Sequence, residues 1–172
     1  MIPLHDIHKL YSLKAIMRYG NTFKIKEESV AEHSFFVAII TMELHTMFRF
    51  DLDKAIQIAL VHDVLEMYTT DIPYNVKENY PKIKEALRNS ERDIYGDIRP
   101  SISRLLLEYE ELKTNEAMIV KLADKLSVLQ FSTLEVSLGN TGDMKGIQSE
   151  TLKIVENLYS DIRHLERSRY AT

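Results

Sequence analysis

The chain has 172 residues, a length that suits one domain with a sizeable core and leaves little room for a second. Hydrophobic residues make up 45% and charged residues 28%, the formal net charge is −4, and there is no cysteine. The charge gives no reason to expect a broad basic field for nucleic acid or acidic membranes, and the lack of cysteine excludes disulfides, thiolate metal sites and a cysteine nucleophile. Any metal must be held by nitrogen and oxygen ligands.

The N-terminal MIPLHDIHKLYS has no basic stretch leading into an apolar one, and no apolar run approaches about 18 residues. The expectation is an intracellular, soluble protein of the cytoplasm. Leu4, Ile7, Leu10, Leu13 and Met17 predict a first helix closed near Gly20-Asn21. Ser29-x-x-Glu32 reads as a capping box opening a second helix, whose apolar stripe is Val30, Phe36, Val37, Ile40, Leu44 and Phe48. A third helix is expected from an N-cap at about Asp53 to about Tyr68, stopping before Thr70-Asp71-Ile72-Pro73. Pro81 opens a fourth, solvated helix rich in Lys, Glu and Arg, and Pro100 a fifth through Glu111. Asn115 caps a sixth running to about Leu138, and the seventh runs from about Gly146 to Arg169. No segment alternates with period two, and no repeat or linker marks a boundary. The prediction is a single all-α domain, 1–172, a bundle of six to seven helices.

Charged groups interrupt three apolar stretches. In ALVHDVLEMYTTDIPY, His62, Asp63 and Glu66 sit inside a run that otherwise reads as the buried face of a helix. Burying such groups without partners is costly. His62 and Glu66 are four apart and Asp63 and Glu66 three apart, so they share a face. Adjacent residues diverge by about 100°, so His62 and Asp63 converge only on a point lying between their directions. In ESVAEHSFFVAII, His33 falls in the first turn of its helix, and in IVKLADKLSVLQF, Asp124 breaks the apolar stretch from Met118 to Phe131. Each has an ordinary reading when taken alone. His62-Asp63 would be a surface pair, His33 a helix-start histidine bonded to nearby backbone, and Asp124 a buried aspartate paired with Lys121 or Lys125. Together they supply two imidazoles and two carboxylates. That set suits one divalent transition metal (Co²⁺, Mn²⁺, Zn²⁺, Fe²⁺ or Ni²⁺) with positions left for water and substrate.

The ordered pattern His33…His62-Asp63…Asp124 resembles the one that names the HD-domain metal-dependent phosphohydrolases. The blocks ESVAEHS, HDVLEMYTTDIPYNVK and VKLADKL look like those of its 5′-deoxynucleotidase branch, over about Arg18 to Leu138. The resemblance implies an all-helical HD-domain fold around one mononuclear metal, and hydrolysis of a nucleotide phosphate ester. It implies His33, His62, Asp63 and Asp124 as metal ligands and Glu66 as the carboxylate that orients or deprotonates the attacking water. Asp71 matches a second catalytic acid near the phosphate, one that helps position the nucleophile or the leaving group, and Arg18 and Lys77 match groups that reach the phosphate. Glu108 matches a further active-site acid after a one-residue shift of register. The family pattern follows the arginine with a tryptophan that packs on the sugar; here the residue is Tyr19, and the chain has no Trp. A smaller ring bearing a hydroxyl leaves the sugar preference open.

The implied activity is that of a (deoxy)nucleoside 5′-monophosphatase. Small phage-type HD enzymes that remove triphosphate from deoxynucleoside triphosphates, dATP among them, are similar in length and motif order. A catalytically inert nucleotide-binding HD module is the alternative of another class. The expected partners are a small-molecule nucleotide and further copies of the chain, a dimer or larger, with neither nucleic acid nor membrane. His5, His8, His45 and His164 read as surface or cap residues.

Overall fold

The computed structural model describes residues 4–170, and the side chains of residues 7–168. The fold is all-helical, as predicted. In chain order come α1 (Leu4–Tyr11), a 3₁₀ turn (Ser12–Lys14), α2 (Val30–Leu44), α3 (Leu52–Val61), α4 (Glu66–Thr69) and α5 (Tyr74–Asn79). They are followed by α6 (Pro81–Ile94), α7 (Pro100–Glu111), α8 (Asn115–Ser137) and α9 (Asp143–Tyr170). These are eight helices and one further α-turn among the described residues, more than the six or seven expected. No helix among them is long and apolar enough to cross a membrane.

α8 is the axis of the bundle, packing against α2, α3, α7 and α9. Its inward residues Ile119, Val120, Leu122 and Ala123 meet Val37 of α2 and Ile58 of α3 in a closed core. Each fully buried aliphatic side chain there contributes about 1.5–3 kcal/mol. A smaller cluster of Val64, Leu65 and Leu106 joins the α4 region to α7.

α2 begins at the predicted capping box: the Ser29 hydroxyl accepts the Glu32 amide N–H, and the Glu32 carboxylate accepts the Ser29 amide. Both groups satisfy amides that the first helical turn would otherwise leave unpaired. Because this cap sets the depth of His33 one turn later, Ser29→Ala should cost about 1–2 kcal/mol. For a chain of this size that lowers Tm by about 2–8 °C in thermal denaturation, and an unchanged Tm would refute the cap.

Several expected boundaries move. α1 ends at Tyr11 rather than near Gly20, because the chain beyond it pairs elsewhere. Val30 N–H donates to the Ile16 carbonyl and Arg18 N–H to the Glu28 carbonyl, around an isolated Met17–Ser29 bridge. Arg18 and Tyr19 therefore sit on a loop. The third helix is capped by Asp51, which accepts the Lys54 amide at 3.1 Å, and not by Asp53. It runs regularly only to Val61; from there the bonds shorten to i→i−3, as in Val64 N–H to Val61 O and Glu66 N–H to Asp63 O. α5, following Pro73, was not foreseen. α8 is capped by the Thr114 hydroxyl instead of Asn115, and α9 starts at Asp143, placing Gly146 inside the helix. Phe36 is half exposed and lies off the buried face that Val30, His33, Val37, Thr41 and Leu44 define. α6 buries no residue, in keeping with its charged sequence. His8, His45 and His164 are exposed; the side chain of His5 lies outside the described residues.

Candidate active site

Three elements converge on one buried polar group. α2 brings His33, fully buried, and α8 brings Asp124, with His33 Nε2 3.4 Å from Asp124 Oδ1. The C-terminal end of α3 brings His62, whose ring centre is 5.3 Å from that of His33. Ligand atoms of His33, His62 and Asp124 all lie within 4.8 Å of one another. Asp63 stands beside this triplet, its Oδ2 3.1 Å from His62 Nε2 and 3.7 Å from His33 Nε2.

The outer faces of these groups are already engaged. His62 Nδ1 is 2.8 Å from the Ala59 carbonyl, which can only accept, so Nδ1 carries the proton and Nε2 presents its lone pair in the neutral ring. His33 Nδ1 bonds the Ser127 hydroxyl at 3.1 Å. Asp124 Oδ2 accepts from the Tyr109 hydroxyl and from Lys121, each at 3.2 Å, and faces the Lys125 ammonium at 3.2 Å. The lysine pairing that Asp124 suggested in isolation is therefore real, with both lysines, yet it occupies only one carboxylate oxygen. What stays unpaired is the inner face: His33 Nε2, His62 Nε2 and Glu66 Oε2 are buried side-chain atoms with no hydrogen-bond partner. Buried polar atoms are normally satisfied, and two imidazole nitrogens with a carboxylate between them fit a divalent cation. Outer partners that fix ring tautomer and orientation are what metal-ligating histidines require.

Electrostatics follow from this crowding. Burial, then the Arg18 charge, lowers the His33 pKa to about 4 and keeps its ring neutral. Burial pulls His62 down as well, but the Asp63 carboxylate more than offsets it and the net shift is upward. Desolvation pushes Asp63 and Asp124 up; His62 holds the first, and Lys125 and Lys121 hold the second, well below the usual carboxylate range. The Glu66 carboxyl goes the other way. Burial, then the charges of Asp63 and Asp71, push it up to about 9, with Arg18 and Lys77 opposing.

The tightened turn at 61–68 explains how Glu66 reaches this group. In i→i−3 geometry, residues three apart eclipse, so Glu66 stands over Asp63. Thr70 follows with φ 62° and ψ 169°, a conformation nearly confined to glycine, and Tyr19 has φ 60°. The two strained segments are tied together, since the Tyr19 amide donates to Asp71 Oδ2 at 3.1 Å. Tyr19 lies flat against Phe131, centroids 5.0 Å apart and planes within 6°. Arg18 Nη1 pairs with Glu28 Oε2 at 2.6 Å, leaving further guanidinium donors.

Of the residues singled out in the sequence, the fold thus gathers His33, His62, Asp63, Glu66 and Asp124, with Arg18, Tyr19, Asp71 and Lys77 around them. Glu108 is engaged elsewhere: Lys54 pairs with it at 2.9 Å and the Thr114 hydroxyl donates to it at 2.6 Å. Its neighbour Tyr109 is the α7 residue that reaches Asp124, because one step along a helix turns a side chain by about 100°. Sequence reading missed Tyr109, Ser127 and Glu28. Ser127 was accessible, being three residues after Asp124 on the same helical face; Glu28, 10 residues from Arg18, gave no local signal.

Known proteins resemble this chain in sequence and fold. The chain is 29% identical to 4′-phosphooxetanocin A phosphatase of Priestia megaterium, over 96% of its length and 89% of that protein. It is 30% identical to mouse 5′-deoxynucleotidase HDDC2, over 81% and 73% of the two chains. An HD-domain phosphohydrolase from Listeria innocua superposes with a TM-score of 0.76 at 26% identity, covering 95% of this chain and 84% of its own. A family model described as HD domain matches residues 10–157, from the end of α1 into α9, and so takes in the three helices that deliver the buried polar group. The chain belongs to the HD-domain family.

Proposed function

We propose that this chain, as one domain spanning 1–172, is a metal-dependent phosphohydrolase that cleaves the phosphate ester of (deoxy)nucleoside 5′-monophosphates. The observation that carries the reading is the pair of unpartnered buried nitrogens, His33 Nε2 and His62 Nε2, in a triplet with Asp124 whose ligand atoms lie within 4.8 Å of one another, with the unpartnered Glu66 Oε2 in the turn that follows. The names of the phosphatase and nucleotidase relatives support the substrate class.

His33, His62, Asp63 and Asp124 would hold one divalent transition metal: Co²⁺, Mn²⁺, Zn²⁺, Fe²⁺ or Ni²⁺. Such an ion supplies Lewis-acid activation, bringing the pKa of a bound water towards about 7. Glu66 then takes the proton from the attacking water. Its carboxyl is pushed up first by burial and then by the charges of Asp63 and Asp71, and neutralising Asp63 would relieve part of that second push. Arg18 and Lys77 bind the phosphate, with the planar guanidinium matched to two phosphate oxygens. Asp71 holds the Tyr19 backbone; Tyr19 packs against the sugar. The same reading takes the protein as a cytoplasmic homo-oligomer, a dimer or larger, acting on small-molecule nucleotides.

A panel of dNMP, NMP, dNTP and NTP with Mn²⁺ or Co²⁺ tests it. Release of orthophosphate from monophosphates is the expected result. Triphosphate release from dNTPs would move the substrate class, and metal-replete protein that binds nucleotide without releasing either product would overturn the enzymatic reading.

A further inference from the structure

A ten-residue loop, 19–28, joins the candidate substrate-facing pair Arg18-Tyr19 to the start of α2. Its base is closed by the Arg18 N–H to Glu28 carbonyl bond at 2.9 Å and by the Arg18–Glu28 ion pair. Lys24 Nζ donates back to the Arg18 carbonyl at 2.9 Å. The far end of the loop is tied to α8. Glu135 is inaccessible to solvent, and its two carboxylate oxygens accept the consecutive amides of Ile25 and Lys26, both at 2.7 Å. Asn140 Nδ2 bonds Glu135 Oε2 and the Phe23 carbonyl, each at 2.8 Å.

Glu135 is one of four residues that fall on one stripe of α8, at spacings of three, four and four: Asp124, Ser127, Phe131 and Glu135. Each meets a different part of the site. Asp124 faces His33 Nε2, Ser127 bonds His33 Nδ1, Phe131 stacks on Tyr19, and Glu135 grips the loop. A buried carboxylate is a costly choice for stability alone, where an apolar side chain would pack without desolvation. Here its charge is spent on two adjacent backbone N–H groups, one to each carboxylate oxygen, an arrangement that favours an anion.

We infer that Glu135 is a positioning residue: by clamping Ile25 and Lys26 it holds Arg18 and Tyr19 at the site, in register with the helix that carries Asp124. Its consequence for substrate rests on the proposed reading of Arg18 and Tyr19; its consequence for the loop does not. Glu135→Gln replaces one acceptor oxygen with an NH₂ that opposes a backbone N–H, so one of the two tethers is lost.

Three measurements on the full chain decide it: residue-resolved amide hydrogen exchange, metal content, and kinetics with 2′-deoxyadenosine 5′-monophosphate. In Glu135→Gln, exchange should rise at Ile25 and Lys26 and spread to Arg18 and Tyr19, while α8 around Asp124 stays protected and metal content is unchanged. KM should rise about tenfold with kcat within about twofold, the signature of weakened binding rather than damaged chemistry. Asn140→Ala should show the same pattern more weakly, and it carries the test if the first variant does not fold. Faster exchange at Ile25 and Lys26 with Arg18 and Tyr19 still protected would overturn the inference. So would a fall in kcat at unchanged KM, or loss of metal. Failure of the wild type to turn over the nucleotide would count against the proposed function instead, and the exchange pattern would still settle the clamp.

Discussion

Glu66→Ala is expected to reduce turnover by about 10²–10⁴-fold, the range that a positioned general base contributes, while the protein keeps its metal. The two halves of this outcome separate proton handling from ligation. Glu66 enters from the tightened turn beyond His62 and Asp63. Phosphate release in single-turnover assays, paired with elemental analysis of the purified variant, reads both. Loss of metal along with activity would make Glu66 a ligand; near-normal turnover would remove it from the mechanism.

The same carboxyl has a signature in stability. In the metal-free protein its pKa is pushed from 4.5 up to about 9 by burial and by Asp63 and Asp71. The folded state therefore keeps a proton that the unfolded chain releases. Where the folded state binds more protons, stability falls as pH rises, so Glu66 is neutral in its effect below about pH 4.5 and increasingly destabilising from there to about pH 9. Glu66→Gln holds the neutral shape at every pH. Its Tm advantage over the metal-free wild type should be absent at about pH 4 and grow steadily towards about pH 9. Parallel Tm curves for the two proteins would show that the carboxyl is not held in its acid form.

Asp124→Ala has the second large effect, and it strikes metal and fold together. Asp124 is buried, and its side chain faces His33 on one side and Tyr109, Lys121 and Lys125 on the other. Removing it takes away a candidate ligand and leaves two ammonium groups without their shared partner. Breaking a buried pair from one side typically costs about 3–5 kcal/mol. For a chain of this length that is a drop of about 6–20 °C in Tm. Metal content should fall to near zero. Asp124→Asn keeps the shape and should lose less stability but as much metal, because an amide neither balances the lysines nor matches the affinity of a carboxylate. Retention of stoichiometric metal by the alanine variant would exclude Asp124 from the ligand set.

Much of this site was visible as chemistry out of place. His33, His62, Asp63, Glu66 and Asp124 interrupt apolar runs, and a polar group inside such a run must find a partner whatever the tertiary arrangement. The capping box at Ser29 and Glu32 was equally local, since it satisfies amides within one helical turn. Glu108 shows the limit of that approach. Its type and approximate position fitted, yet a helix separates neighbours by about 100° a step, so a one-residue uncertainty exchanged it for Tyr109.

The sequence by itself determined an all-helical chain, several of its helix limits, and a set of candidate metal-binding residues, because periodicity, caps and buried charge are properties of neighbours in the chain. Only the tertiary structure decided which oxygen of Asp124 goes to the lysines and that the two histidines turn unpaired nitrogens inward. It also brought Asp71 to the Tyr19 backbone and Glu135 to the loop at Ile25 and Lys26. Those contacts span 52 to 110 residues of chain. They depend on how α2, α3 and α8 pack, and no local pattern carries that information.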